Sequence, residues 1–278
     1  MMALPKVAAV SIGPADEDPL PLWMEAEAGI KAAAQAGATL VVLPELFAQA
    51  YVAGEDPGRW SHRAETIEGR TATRMATAAR SNGVAVLFGM ALTGPNGLPL
   101  NAAALARADG SVERVAGKIH LPPANPADAF GEADHFAPGP AIIGAVEVGP
   151  IRVATLICYD RRFPECWRAA AKAGADLIAV MVGGPAPSDP EGLFASELRT
   201  HARANAVYAL TAARYGTETV LGHPVRHDGE SLAIDPNGAI LAIAPQAAPR
   251  LVVATVDFAR LAEARAQNAT ARCLRLSA

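Results

Sequence analysis

The sequence predicts a single α/β domain in which mixed β-sheets are covered by outer helices. Short apolar runs with strand character alternate with alanine-rich helical stretches along the 278 residues, and no Ser/Gly-rich linker divides them. One unit of helix, glycine and strand occurs twice, at residues 31–43 and 168–180. The repeat indicates two similar units in one sheet system, although alanine-rich helices closed by a glycine also arise independently. We expect one domain over residues 1–278, with a tail from about residue 267.

The expected strands are short apolar runs bounded by Gly, Pro or turn residues. In chain order they lie at residues 7–12, 40–43, 84–89, 101–106, 151–157, 177–180, 208–213 and 251–256. Helices are expected at 22–35, 71–80 and 191–205, because these stretches lack internal proline and Gly37 and Gly83 end the first two. Residues 231–234 and 239–243 predict a hairpin across an Asp-Pro-Asn-Gly turn. Residues 120–140 are crowded with Pro and Gly and predict a long ordered loop.

The charge and cysteine content narrow the class of function. A net charge of -4 and a pI of about 5.9, without a local cluster of Lys and Arg, provide no attraction for nucleic acid. Three cysteines do not make a disulfide framework and favour a reducing compartment. No apolar run approaches the roughly 20 residues that cross a bilayer. We expect a cytoplasmic protein that acts on a small molecule, with no nucleic-acid or membrane partner.

The sequence contains no motif for a cofactor. His223 and His227 stand four residues apart, but Pro224 lies between them and no acidic helix accompanies them. A Gly-rich phosphate loop and a Gly-x-Ser-x-Gly elbow are both missing from the sequence. We therefore expect no metal and no cofactor, and we interpret Cys166 and Cys273 as structural or incidental.

Three chemically reactive residues stand at or near the ends of expected strands. Glu45 follows the strand at 40–43, Lys118 follows Gly117, and Cys158 directly follows the strand at 151–157. Strand ends are where functional side chains gather. A thiol is a nucleophile only as the thiolate, and a sharp turn from strand to helix exposes it and favours negative charge. Cys158 is thus placed for nucleophilic catalysis.

The segments around these residues resemble the three signature segments of the nitrilase superfamily of carbon-nitrogen hydrolases. They read Pro44-Glu45, Lys118-Ile-His-Leu and Cys158-Tyr-Asp-Arg-Arg-Phe-Pro-Glu, in the order and spacing of that family, and the similarity extends from residue 7 to roughly residue 265. The resemblance implies a four-layer αββα sandwich of two mixed β-sheets with outer helices. It also implies a homodimer or a higher homo-oligomer.

The resemblance assigns a role to each of four residues. The glutamate that matches Glu45 is the general base, the lysine that matches Lys118 stabilises the tetrahedral intermediate, and the cysteine that matches Cys158 is the nucleophile. Glu132, four residues before Phe136, resembles a further glutamate that keeps the site in order. The implied reaction is hydrolysis of a carbon-nitrogen bond in a small linear amide or N-carbamoyl compound, with release of ammonia or an amine.

Each of these residues also has an ordinary structural interpretation when it is taken alone. A cysteine after an apolar strand is more often a small buried hydrophobe. Glu45 could be a charge at a helix N-terminus, and Lys118 or Glu132 a solvated surface charge. Their joint occurrence in the order of the family favours catalysis. Two alternatives stay open: hydrolysis of a nitrile, and a catalytically silent binding or regulatory member of the same fold.

Arg161 and Arg162 indicate what the substrate carries. They closely follow the expected nucleophile, and paired guanidinium groups can bind one carboxylate through two hydrogen bonds. Family members that hydrolyse N-carbamoyl amino acids are similar at these positions. Arg162 could instead pair internally with Asp160 or Glu165. We expect an amide or carbamoyl substrate that carries a carboxylate. We also expect the backbone N–H of Tyr159 to face the oxyanion that forms on the substrate.

Some positions depart from the pattern of the family. Many members read Arg-Ala-x-Glu-Asn where this chain has His201-Ala-Arg-Ala-Asn205, so that alanine stands at position 204. The asparagine usual near Ala213 is missing from the sequence, and residues 185–190 lack an expected aromatic. These departures weaken the substrate assignment and leave the nucleophile unaffected.

Overall fold

The computed structural model describes residues 4–15, 18–51, 58–94, 97–123, 131–184, 190–220, 223–270 and 273. Within these residues the chain forms two six-stranded β-sheets, a separate two-stranded hairpin and outer helices. The strands in chain order are β1 Lys6–Val10, β2 Ala38–Val42, β3 Ala85–Leu92, β4 Leu100–Ala106, β5 Val112–Gly117, β6 Val146–Val148, β7 Ile151–Ile157, β8 Leu177–Val182, β9 Tyr208–Ala213, β10 Tyr215–Val220, β11 His223–Asp228, β12 Leu232–Ile234, β13 Ile240–Ile243 and β14 Leu251–Thr255. The helices are α1 Leu20–Gln35, α2 Gly58–Ser61, α3 Arg70–Asn82, α4 Pro164–Lys172, α5 Leu193–Asn205 and α6 Phe258–Gln267.

The two large sheets have the same internal plan. The first has the strand order β14-β1-β2-β3-β4-β5 and the second β13-β12-β9-β8-β7-β6. In the first sheet β1, β2 and β3 are parallel, in the second β7, β8 and β9 are parallel, and antiparallel strands flank both groups. The repeated sequence unit occupies corresponding places, because α1 leads into β2 and α4 leads into β8, each the middle strand of its parallel group.

Three apolar interfaces stack the elements into four layers. Between the sheets, Val42 and Leu87 of the first pack in one cluster with Ile157, Met181 and Leu210 of the second. The outer face of the first sheet is covered by α1 and α3, and the outer face of the second by α4 and α5. Strands buried on both faces read as continuous apolar runs, which is why the central strands were visible in the sequence. The predicted αββα sandwich is confirmed.

The sequence prediction missed several elements. These are the short helix α2, strand β6, the hairpin of β10 and β11, and α6, which follows the Asp257 N-cap. The hairpin reads Tyr-Gly-Thr-Glu-Thr-Val and His-Pro-Val-Arg-His-Asp, without an apolar run or an alternating pattern. A strand of this kind is determined by what its polar groups contact, so local pattern cannot reveal it.

The long loop predicted at 120–140 is held by its neighbours. In its described parts, residues 120–123 and 131–140, Ala137 forms a bridge with Leu100, and the Gly139 N–H donates to the Lys118 carbonyl at 2.7 Å. Residues 124–130 of this loop, the stretch 185–189, and residues 271–272 and 274–278 of the expected tail lie outside the described residues. Residues 95–96, in the Gly94-Pro-Asn-Gly97 stretch that predicts a turn between the strands at 84–89 and 101–106, lie outside them as well. None of the helices that are described is long and apolar enough to cross a membrane.

The packing between the sheets predicts a large difference between two leucine truncations. Leu210 is fully buried at this interface, whereas Leu241 on β13 is 41% exposed. Leu210→Ala is expected to lower the free energy of unfolding by about 2–5 kcal/mol because it leaves a cavity. Leu241→Ala is expected to change it by less than about 0.5 kcal/mol. Urea denaturation of both variants measures the difference, and equal effects would contradict this core.

Candidate active site

Cys158, Glu45 and Lys118 meet because each follows the end of a strand. Cys158 comes directly after β7, Lys118 directly after β5, and Glu45 shortly after β2. Strands β2 and β5 belong to one sheet and β7 to the other, so the site lies where the two sheets end together. The structure brings these three residues and Glu132 into one cluster.

A buried lysine joins the two glutamates. Lys118 Nζ lies 2.8 Å from Glu45 Oε1 and 2.7 Å from both Oε1 and Oε2 of Glu132. The side chains of Lys118 and Glu45 are 0% exposed and that of Glu132 is 1% exposed. Solvated surface positions for these charges are therefore excluded. A buried charge is tolerated only when it is paired, and here one ammonium group serves two carboxylates.

The pairing determines how these groups bind protons. Burial alone would lower the pKa of Lys118, but the carboxylates of Glu132 and Glu45 raise it above its ordinary value. The ammonium group therefore stays charged. Burial raises the pKa of Glu132, the charge of Lys118 opposes that rise, and repulsion from Glu45 adds to it.

Backbone amides and close glycine contacts fix the position of Glu45. Its Oε2 accepts a hydrogen bond from the Gly183 N–H at 2.7 Å. A Cβ on Gly89 would stand 2.5 Å from Glu45 Cα, and a Cβ on Gly183 would stand 2.5 Å from the Glu45 carbonyl oxygen. Leu46, the next residue, has a φ of +46°. Gly89 in β3 and Gly183 just after β8 thus lie against the turn that carries Glu45, and only glycine fits at these contacts.

Cys158 occupies a strained turn between β7 and α4. Its φ is +45°, in the left-handed region that non-glycine residues rarely adopt, and it begins a short 3₁₀ turn over Cys158–Arg162. The carboxylate of Asp160 fastens the turn, because it accepts hydrogen bonds from the backbone N–H of His120 at 2.9 Å and of Ile119 at 3.3 Å. Since Ile119 follows Lys118, this carboxylate links the cysteine turn to the lysine segment.

The surroundings of the thiol keep it protonated at rest. Burial and the charge of Glu45 raise the pKa of Cys158 to about 11, although Lys118 and Arg161 oppose the rise. At neutral pH the thiol therefore needs a base before it can attack. Glu45 is the nearby carboxylate whose charge the thiol senses most strongly.

Two polar contacts in the site were missed in the sequence. Asn101 Nδ2 donates to Glu45 Oε1 at 2.7 Å, and Tyr51 Oη donates to Glu132 Oε1 at 2.6 Å. The Tyr51 hydroxyl also lies 3.9 Å, and Cys158 Sγ 3.6 Å, from the point where a Cβ on Gly184 would stand. A signal existed for Asn101, because it is the one polar residue in the buried run of β4. Tyr51 offered none.

The residues expected to bind substrate lie on the cysteine turn. Arg161 is buried: its Nη1 donates to the Cys158 carbonyl at 3.1 Å, and its Cζ lies 4.8 Å from the ring centre of Phe194. The Tyr159 ring packs edge-on against Phe163. Arg162 is half-buried.

The positions that depart from the family pattern contact the outer layer of helices or the sheet. His201 of α5 stacks on Trp167 of α4, and the carbonyl of Ala204 accepts from Arg168 at 3.3 Å. The N–H of Ala213 donates to Ser231 Oγ at 2.9 Å.

One group of possible metal ligands occurs in the described part of the chain. His120 Nδ1, an Asp160 carboxylate oxygen and Cys166 Sγ lie within 4.8 Å of one another. His120 Nδ1 is 2.8 Å from Asp160 Oδ1, the same atom that accepts the His120 backbone N–H. These contacts fasten the cysteine turn to the segment after Lys118.

Comparisons with known proteins agree with this geometry. The family model described as carbon-nitrogen hydrolase matches residues 6–266, so the chain belongs to this family, the nitrilase superfamily. A nitrilase from Pyrococcus abyssi is 32% identical over 253 residues, covering 91% of this chain and 90% of the relative. A citrullinase from Francisella tularensis is 28% identical over 271 residues, covering 95% of this chain and 93% of the relative.

A solved structure confirms the fold independently of close sequence similarity. The crystal structure of a carbon-nitrogen hydrolase from Helicobacter pylori G27 has a TM-score of 0.87 at 21% identity, covering 98% of this chain and 96% of that chain. Together, family and site make this chain an enzyme that hydrolyses carbon-nitrogen bonds. Its relatives include proteins named N-carbamoylputrescine amidase and omega-amidase, which agrees with hydrolysis of amides. The alternative of a silent binding protein is not supported.

The charge of Glu45 beside the thiol predicts a measurable pKa change. Glu45→Gln is expected to lower the pKa of Cys158 below about 11, because a charge that raises this pKa is removed. The pH dependence of iodoacetamide labelling, followed by mass spectrometry, measures this value. Cys166, whose pKa is raised to about 12, serves as the internal reference in both proteins. An unchanged or higher midpoint for Cys158 would contradict the described arrangement.

Proposed function

We propose that this enzyme hydrolyses small linear amides or N-carbamoyl compounds through a covalent acyl-enzyme on Cys158. The observation that carries the proposal is the buried Lys118 ammonium group, held between Glu45 and Glu132 next to a half-buried thiol. A fixed cation in a site shielded from water is suited to stabilising a developing oxyanion. A carboxylate beside a protonated thiol is suited to general-base catalysis.

The proposed reaction moves two protons in succession through Glu45. Glu45 takes the proton from Cys158 Sγ, and the thiolate attacks the substrate carbonyl carbon. The oxyanion is stabilised by Lys118 and by the backbone N–H of Tyr159. When the tetrahedral intermediate collapses, Glu45 gives its proton to the leaving nitrogen, and ammonia or an amine departs. Glu45 then takes a proton from water, the hydroxide attacks the acyl-enzyme, and the thiol leaves with the proton as the acid product is released.

Glu132 has a different role in this proposal. Both of its oxygens contact Lys118, and Tyr51 donates to one of them. Of the two glutamates, Glu45 raises the pKa of the Cys158 thiol more strongly than Glu132 does, so Glu45 is the better candidate for exchanging protons with the thiol and the substrate. Glu132 therefore positions the ammonium group and balances its charge while Glu45 handles protons.

We further propose that the substrate carries a carboxylate near Arg161. The Arg161 side chain is 5% exposed, and its Nε has no hydrogen-bond acceptor among the described residues. Glu197 Oε2 lies 3.6 Å from that nitrogen, and Arg161 opposes the rise that burial and Asp228 cause in the pKa of Glu230. The Arg161 guanidinium group could bind a carboxylate of the substrate, and the carboxylates around it could bind an amino group. This surrounding therefore complements a substrate end that carries both a carboxylate and an amino group. The relative named citrullinase supports testing a ureido group attached to a free amino acid.

Nitrile hydrolysis is the second candidate, favoured by the relative named nitrilase. The same thiol could add to a nitrile carbon, so the geometry admits both reactions. A screen for ammonia release that compares nitriles with the corresponding amides separates them.

Removal of the lysine tests the oxyanion assignment. Lys118→Ala is expected to lower kcat by about 10²–10³-fold, because a preorganised donor to the oxyanion is lost. The variant also leaves two buried carboxylates without their cation, so circular dichroism and thermal unfolding must show that it is folded. Folded protein with near-normal turnover would contradict the proposal. In the wild-type enzyme, Cys158 should also react faster with iodoacetamide than Cys166 does. Equal reactivity of the two thiols would contradict the proposal as well.

Three ureido compounds test the substrate end group. Citrulline carries a carboxylate and an amino group, 5-ureidopentanoate lacks the amino group, and N-carbamoylputrescine lacks the carboxylate. We expect kcat/KM to fall about ten-fold or more when either group is missing, because each loses a charged contact. Arg161→Ala is expected to erase the preference for citrulline over N-carbamoylputrescine. If the variant slows both compounds equally, Arg161 only holds the Cys158 carbonyl and the carboxylate proposal fails.

A further inference from the structure

A charged cluster lies buried under the hairpin of β10 and β11. It consists of Arg214, just before β10, Glu218 in β10 and His227 in β11, and we call it the hairpin charge cluster. All three residues are buried. Arg214 Nη2 pairs with Glu218 Oε1, and His227 Nε2 lies 3.4 Å from the same oxygen, in an electrostatic contact without hydrogen-bond geometry. Arg214 and His227 thus both contact one carboxylate oxygen of Glu218.

The hairpin charge cluster forms hydrogen bonds with segment 49–51, which follows Glu45. Glu218 Oε2 accepts a hydrogen bond from the backbone N–H of Tyr51 at 3.1 Å, and Arg214 Nη1 donates to the carbonyl of Gln49 at 2.6 Å. Tyr51 in turn donates its hydroxyl to Glu132. The position of this tyrosine is therefore set from both ends, by the cluster at its backbone and by the reactive site at its hydroxyl.

The hairpin charge cluster also forms a hydrogen bond with segment 183–184. His227 Nδ1 lies 3.1 Å from the carbonyl oxygen of Gly184, which can only accept, so Nδ1 carries a hydrogen. Gly184 is next to Gly183, whose N–H binds Glu45, and its Cα faces the thiol of Cys158. Gly184 and Tyr51 lie beside the thiol, and we call the two segments that carry them, 183–184 and 49–51, the two walls. One buried cluster fastens both.

The contacts within the cluster keep Glu218 ionised. Burial alone would raise the pKa of Glu218, but its contacts with His227 and Arg214 bring it below the ordinary value. A buried ion cluster adds little net stability compared with apolar residues of similar volume. Stability therefore does not account for a cluster whose hydrogen bonds run specifically to the two walls of the site.

We infer that Arg214, Glu218 and His227 are positioning residues, which set the separation of the two walls beside Cys158 and thereby hold Glu45 and Glu132 in reacting geometry. The inference rests on the proposed function for its activity measurement. It assigns to the hairpin a part in catalysis that no signature segment of the sequence carries. Misplacement of a reacting group by about 1 Å can cost about 100-fold in rate, so such a role has a measurable consequence.

The test uses paired substitutions in the full chain. Glu218→Gln removes the shared charge, and His227→Leu removes both ring nitrogens. Each is expected to lower kcat for citrulline, or for whichever ureido compound is turned over fastest, by about 10- to 100-fold, with KM changed less than about three-fold. His227→Asn keeps a donor where Nδ1 stands and is expected to recover most of the loss.

Asp235→Asn provides the matched control. Asp235 is a fully buried carboxylate paired with Arg260, in the turn between β12 and β13. Its substitution is expected to lower the melting temperature while kcat of the folded protein stays within about two-fold of wild type. If Glu218→Gln and His227→Leu behave like this control, the cluster is only structural and the inference is overturned.

Labelling keeps the inference testable if the proposed function fails. The ratio of iodoacetamide labelling rates at Cys158 and Cys166 reports on the walls without any substrate. Glu218→Gln and His227→Leu are expected to change this ratio at least about three-fold, and Asp235→Asn to leave it unchanged. An unchanged ratio in all three variants would overturn the positioning role. Absence of turnover in the wild type, with a changed ratio, would count against the proposed function alone.

Discussion

The contact on which the site depends is the buried ammonium group of Lys118 between Glu45 and Glu132. Three charges without access to water are stable only together, and removing one partner of such a group typically costs about 3–5 kcal/mol. The partners come from the ends of β2 and β5 and from the loop after residue 130. The first sheet must therefore form, and this loop must pack against it, before the charges can be buried. Folding of the scaffold is thus coupled to assembly of the site.

The thiol is placed against this cluster by backbone geometry. Cys158 has a positive φ, and its turn is fastened by Asp160 to the segment after Lys118. On the other side, Gly89 and Gly183 let two strands approach the backbone of Glu45 more closely than any side chain would permit. Glu45, Lys118 and Cys158, the proposed base, oxyanion-binding cation and nucleophile, are thus held by rigid main chain, which keeps the cost of orienting them out of the proposed chemical step.

A second group of buried charges stands behind the first. Tyr51 connects the two, with its hydroxyl on Glu132 and its backbone N–H on Glu218. Such supporting contacts commonly determine how well reacting side chains are oriented. The hairpin that carries Glu218 belongs to neither large sheet, and its buried charged residues form hydrogen bonds with the backbone of segments 49–51 and 183–184.

The sequence by itself determined the central strands, the main helices and the identity of the residues that meet in the candidate site. Strands buried on both faces must be apolar, and Glu45, Lys118 and Cys158 stand in recognisable segments at strand ends. Only the tertiary structure decided that Asn101 and Tyr51 contact the glutamates, that Arg161 holds the Cys158 carbonyl, and that a polar hairpin supports the walls. Most of these contacts join residues that are far apart in the chain. The Arg161 side chain contacts the nearby Cys158 carbonyl, a contact that the sequence cannot distinguish from one with substrate. Local pattern records which residues avoid water, but it does not record which polar group each buried partner meets.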